Sequence, residues 1–207
     1  MLMTFYDDRL KAKLVAVAAD IAVFRGWSEK TLEETAAKVG VPYGQAKSLF
    51  PRGGIDLARF YHQLKDQDFL NKFRKVEITN LSHFEKVEVA IKMRFQVIAD
   101  DKEVFKSSMS LFAMPMYQLE AINLVWSTCD LIWCEIKDIS IGFDWYTKRA
   151  TLVSVYLSTL LFFLGDESAD HRETEYFIVR RLQEVRKLGQ LKVSFVEFIK
   201  KLMAATR

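Results

Sequence analysis

Apolar residues return at helical spacing along nearly the whole chain. Leu10, Leu14, Val15, Ala18, Ile21 and Ala22 make one stripe, and Val87, Ala90, Ile91, Phe95 and Ile98 another. The three prolines, Pro42, Pro51 and Pro115, fall where this periodicity breaks and punctuate the helices. The pattern predicts an all-α fold with helices at about 7–25, 32–39, 43–49, from 54 onward, 83–99, 103–113, 116–137, 145–164, 171–188 and 191–204. Asp144 stands just before the 145–164 periodicity and is placed to cap its free amides. Within that helix Trp145, Arg149, Leu152 and Tyr156 share one face. Tyr146, Ala150, Val153, Leu157, Leu160, Leu161 and Leu164 make the opposite stripe, which is expected to be core.

Composition narrows the class. Of 207 residues half are hydrophobic and only 8 are Gly and 3 Pro, which excludes disordered and turn-rich all-β chains. Cys129 and Cys134 suit neither a disulfide framework nor a zinc site, so a reducing compartment is expected. The start resembles neither a secretory signal nor a transit peptide. The longest uncharged run, Ala150 to Gly165, has sixteen residues and reads as a buried helix rather than a bilayer span.

Net charge is +3, unevenly placed: residues 180–207 carry eight cations against two anions, leaving the first 179 residues net acidic. Attraction to anionic surfaces is thus expected at the C-terminus. There Leu191, Phe195, Phe198, Ile199, Leu202 and Met203 form one helical face, with Lys192, Lys200 and Lys201 elsewhere on the turn. Such a helix suits a membrane surface, and equally a docked position on its own domain or a dimer mate. The expected division is 1–54 for a helix-turn-helix-like head, 55–189 for a helical body and 190–207 for the amphipathic helix.

Residues 31–51 have helix-turn-helix spacing, with small Ala36 and Ala37 at the crossing and Gly40 able to take the left-handed turn. The segment resembles the head of TetR-family repressors through Gly40-Val41, Gly44 and Phe50-Pro51. The family's phosphate-contacting residues are mostly replaced, by Gln45-Ala46-Lys47 and Arg52-Gly53-Gly54. Residues 28–60 carry five cations against four anions, too little for a clearly basic face. A head retained for packing, with no nucleic-acid partner, is expected.

A second resemblance lies in the body. Residues 144–152 (Asp-Trp-Tyr-Thr-Lys-Arg-Ala-Thr-Leu), 164–170 (Leu-Gly-Asp-Glu-Ser-Ala-Asp) and 177–182 (Phe-Ile-Val-Arg-Arg-Leu), with 49–57 upstream, resemble the Coq-nine family of ubiquinone-biosynthesis accessory proteins. The resemblance implies a TetR-like homodimer that holds an isoprenoid lipid or quinone precursor. It also implies contact with the membrane through the last helix and presentation of the precursor to a di-iron hydroxylase, the demethoxyubiquinone hydroxylase. It makes Trp145, Tyr146, Arg149 and Tyr156 candidates for the partner interface, a composition seen at binding hot spots. By position and resemblance, Met93, Phe95, Met109, Phe112, Met116, Trp126 and Trp133 are candidates for the lipid pocket, since methionine adapts to irregular apolar shapes.

Catalytic signals are absent from the sequence. His62, His83 and His171 are scattered, none follows a glutamate at Glu-x-x-His spacing, and each reads as a surface or capping group. Asp166, Glu167 and Asp170 read as a solvated turn that starts the next helix. The expectation is a non-enzymatic protein with no cofactor or metal, cytoplasmic and peripherally attached to the inner membrane. A ligand-responsive TetR-type regulator is the alternative, and an enzyme using the body pocket the more distant one.

Overall fold

The computed structural model describes residues 2–187, so the expected amphipathic helix (Leu191, Lys192, Phe195, Phe198, Ile199, Lys200, Lys201, Leu202, Met203) lies outside the described residues. Among them are nine α-helices and no strand. They are α1 (Leu2–Arg25), α2 (Glu29–Val39), α3 (Tyr43–Leu49), α4 (Gly54–Phe73), α5 (His83–Ala99), α6 (Lys102–Phe112), α7 (Gln118–Glu135), α8 (Phe143–Gly165) and α9 (172–187). Short 3-10 turns, Pro115–Tyr117 and Ala169–His171, precede α7 and α9.

Local chemistry explains the boundaries. Ser28 caps α2 by accepting from the Thr31 amide at 3.2 Å, so the helix begins three residues before its apolar stripe. Gly40 ends α2 with φ 78°, in the left-handed conformation expected of it. Ser82 and Glu85 form a reciprocal capping box at the start of α5. Asp144 is not the cap of α8: Gly142 holds that position at φ 62° and Asp144 sits in the first turn, where its charge meets the positive end of the helix dipole.

α1 packs on α2, α4 and α6, α4 on α5, and α7 on α8. One continuous apolar core runs from Leu14, Leu32 and Phe50 through Leu57 and Phe69 to Phe95, Phe105, Ile132, Phe163 and Leu182. The N-terminus of α4 is wedged against the α1–α2 turn, where a Cβ on Gly54 would lie 2.4 Å from backbone atoms of Trp27 and Ser28. The Gly53-Gly54 pair that departs from the TetR pattern is therefore a packing device.

α8 reverses the expected orientation. Leu152, Tyr156 and Arg149 are buried at 2%, 3% and 3% exposure. Tyr146, Leu157 and Leu161 of the stripe expected to be core are 61%, 41% and 74% exposed, although Leu160 of that stripe is buried. Both faces of this helix are apolar, so period alone cannot choose between them. The inner face is selected because Arg149 finds Asp130 on α7 and Asp138 beyond it. By length and composition α8 could cross a membrane, but here one face packs into the core.

Candidate functional site

Two apolar spaces flank α8. The larger is an open groove of about 420 Å³ between α5, α7, α8 and α9, with Phe84, Val87, Trp133, Leu152, Val155, Leu182 and Val185 in its walls. Its polar rim is His83, Lys148 and Arg186. The imidazole of His83 stacks on Trp133 with centroids 5.3 Å apart, and Lys148 lies 5.5 Å over the same indole. Lys148 donates to Asp138 at 2.7 Å. Burial works to raise the Asp138 carboxyl, but hydrogen bonds from Lys148 and Ser140 hold it below the usual carboxylate range. Burial, reinforced by Lys148, holds His83 below its ordinary value.

The smaller space, about 170 Å³, lies between α4, α6, α7 and α8. Phe105, Met109, Val125, Trp126, Val153 and Leu160 make most of its wall, and His62, Thr128 and Tyr156 supply polar groups. Thr128 Oγ1 donates to Asp66 at 3.1 Å, and Asp66 receives Arg94 Nε at 2.9 Å. Arg94 is 1% exposed, and its Nη1 has no hydrogen-bond partner among the described residues. Burial raises the Asp66 carboxyl, while Arg94 and Thr128 pull it back. A pair sealed this deeply adds little net stability, yet removing one partner would strand the other charge.

A third feature is an aromatic patch at the start of α8. Trp145 packs against Trp126 and Tyr146 with centroids 6.2 and 4.7 Å apart, and the Arg149 guanidinium stacks on it. On α7, Leu119 and Ile122 are 77% and 60% exposed, and Ile122 lines the small cavity together with Leu157 of the outward stripe of α8.

The structure divides the residues marked in the sequence. Of the lipid candidates, Met109 and Trp126 line the small cavity and Trp133 the groove. Phe95 and Phe112 are core residues, Met93 packs half-buried beside them, and Met116 is exposed to solvent. Of the interface candidates, Tyr146 is exposed and Trp145 half-buried, while Arg149 and Tyr156 face inward.

His62 is not a surface or capping group, because α4 turns it into the core. Asp166 likewise is no solvated turn residue but a buried acceptor for Ser168 and Thr174. Sequence reasoning missed Asp66 and Arg94, although a signal was present. Asp66 lies in register with His62, Phe69 and Phe73, and Arg94 with Val87, Ile91 and Ile98. A charge inside an apolar stripe demands a buried partner.

In the helix-turn-helix segment, cations meet carboxylates of the same chain. Lys47 pairs with Glu29 at 2.7 Å and Arg52 with Asp56 and Glu120 at 2.7 and 2.6 Å, while Arg59 lies 3.4 Å from Glu120.

Comparison with known proteins agrees with both sequence resemblances. The family model described as COQ9 matches residues 119–189. A Dictyostelium discoideum protein named as a probable mitochondrial ubiquinone biosynthesis protein coq9 is 27% identical over 92% of this chain and 64% of its own length. The human mitochondrial ubiquinone biosynthesis protein COQ9 is 24% identical over 96% of this chain and 66% of its own length. The chain thus spans about two thirds of these curated relatives. A crystal structure of a TetR transcriptional regulator from Nitrosomonas europaea superposes with a TM-score of 0.69 at 20% identity, covering 85% of this chain and 97% of that one. The fold is therefore TetR-like, and the sequence is similar to the COQ9 family over about nine tenths of its length.

Proposed function

We propose that this chain is a lipid-binding accessory protein of ubiquinone biosynthesis, binding an isoprenoid quinone precursor and presenting it to the demethoxyubiquinone hydroxylase. The observation that carries this reading is the open groove of about 420 Å³ with nearly all-apolar walls, in a chain whose relatives are named for that pathway. Each apolar carbon moved from water into such a groove is favoured by about 0.8 kcal/mol, which offsets withdrawal of a long isoprenoid from the bilayer. The work is transfer rather than covalent chemistry, carried out at a membrane surface.

Tyr146 and half-buried Trp145 offer the hydroxylase an aromatic contact, and Arg149 positions Trp145 from beneath. The outward row Leu157 and Leu161 suits a second copy of the chain, since an apolar row repeated by symmetry buries itself. The lysine-bearing segment from 190 onward suits the membrane. A TetR-type regulator is the second reading because of the fold, but paired Lys47, Arg52 and Arg59 leave little charge to neutralise phosphates.

Native mass spectrometry with lipid extraction tests the proposal. One isoprenoid or quinone per protomer is the expected result. An empty chain that takes up no added isoprenoid, together with salt-dependent binding to DNA, would replace it with the regulator reading.

A further inference from the structure

The small cavity carries hydrogen-bonding groups for which a hydrocarbon tail has no use. Ser108 Oγ lies 2.6 Å from the carbonyl oxygen of Phe105, a group that can only accept, so the single hydroxyl proton is committed there. The 2.9 Å contact between Ser108 Oγ and His62 Nε2 must then run from imidazole N–H to hydroxyl oxygen. His62 is packed between Phe105 and Phe112, with centroids 5.0 and 5.4 Å away. Burial, with Arg94 nearby, pulls its pKa down to about 3, so the ring is neutral at physiological pH. A neutral imidazole has one N–H, here on Nε2, which leaves Nδ1 a bare acceptor with no donor among the described residues. Tyr156 lines the same space and brings a phenol hydroxyl to its wall.

Size and charge limit what could use these groups. A volume of about 170 Å³ is close to the roughly 150 Å³ that accepts a benzene ring in a protein interior. Asp66 and Arg94 compensate each other at 2.9 Å, so an ionised ligand would lose hydration without a counter-charge. Ile122 and Leu157 belong to the lining and are also 60% and 41% exposed, so the cavity opens toward the outward apolar row of α8.

We propose that this cavity seats a neutral phenolic ring whose hydroxyl donates to His62 Nδ1, with its alkyl substituent leaving between Ile122 and Leu157. The proposal rests on the lipid-binding reading in taking that substituent to be apolar, and it adds a site distinct from the groove. His62 is then the residue that selects a hydroxylated ring, and Ser108 the positioning residue that sets its tautomer.

The test titrates the full chain with 4-propylphenol, 4-propylanisole and propylbenzene by calorimetry at pH 7, and follows the imidazole nitrogens of His62 by NMR. We expect the proton on Nε2 in the ligand-free chain, at least tenfold tighter binding of the phenol, and a shift of the Nδ1 resonance when it binds. Ile122→Trp changes an exposed residue at the mouth and should abolish binding of all three compounds without unfolding the chain. Equal affinities, a proton on Nδ1, or an Nδ1 signal unmoved by saturating phenol would overturn the proposal. Equal affinities in a chain that still copurifies with isoprenoid would sink this inference alone. Phenol preference in a chain that takes up no isoprenoid would sink the groove reading alone.

Discussion

The guanidinium carbon of Arg149 sits 3.8 Å from the centroid of the Trp145 ring while its Nε donates to Asp130. One buried cation therefore joins α7 to α8 and sets the pose of the indole above it. Lysine cannot reproduce the planar stack or the forked donors. Arg149→Lys should cost about 1–2 kcal/mol of stability, and Arg149→Ala about 3 kcal/mol. Urea unfolding measures both, and a Lys variant as stable as the parent would show that the stack contributes nothing.

Two glycines in the TetR-like segment should respond in opposite directions to the same substitution. A Cβ at Gly54 meets backbone at 2.4 Å, whereas one at Gly44 in α3 meets nothing within 4 Å. Gly54→Ala must push α4 off the Trp27–Ser28 turn and should lose at least about 2 kcal/mol. Gly44→Ala should gain roughly 0.5–1 kcal/mol through lower chain entropy in the unfolded state. Paired denaturation midpoints decide it, and a neutral Gly54→Ala would mean the helices meet less closely.

Asp166 predicts an acid-sensitive start of α9. Its carboxylate accepts from the Ser168 amide at 2.8 Å, the Thr174 amide at 2.9 Å and the Thr174 hydroxyl at 2.6 Å. Burial alone would raise its pKa, but these bonds hold it well below the usual carboxylate range. The folded pKa is thus lower than the unfolded value near about 4, so this stabilisation is complete above that pH and fades as pH falls below it. Asp166→Asn should cost about 1–3 kcal/mol at pH 6 and flatten the loss of stability between about pH 4 and 3. Parallel slopes for the two proteins would exclude Asp166 as a source of the acid dependence.

Much of this molecule could be read from its residues. The helices at Tyr43–Leu49 and His83–Ala99 begin and end where periodicity, proline and capping residues put them. The Gly40 turn also follows from local chemistry. The near balance of cations and anions in the segment was visible in its residue types, and the structure adds the carboxylates opposite Lys47 and Arg52. The motif around Trp145 was legible as a family resemblance. The burial of Arg149 beneath it was not, because the partner Asp130 is nineteen residues away on another helix.

By itself the sequence determined the helical class, the order of the elements, the TetR-like start and the apolar character of α8. Those properties depend on neighbours within a few turns of the same chain, where i to i+4 spacing and capping act directly. Tertiary structure decided which face of α8 turns inward, that His62 lines a cavity while Met116 faces solvent, and that Asp66 meets Arg94 in the core. Apart from the exposure of Met116, each of those outcomes depends on pairing a buried polar group with another from a distant helix. The cost of leaving such a group alone, set against the apolar area on either face, has no signature within a single helix.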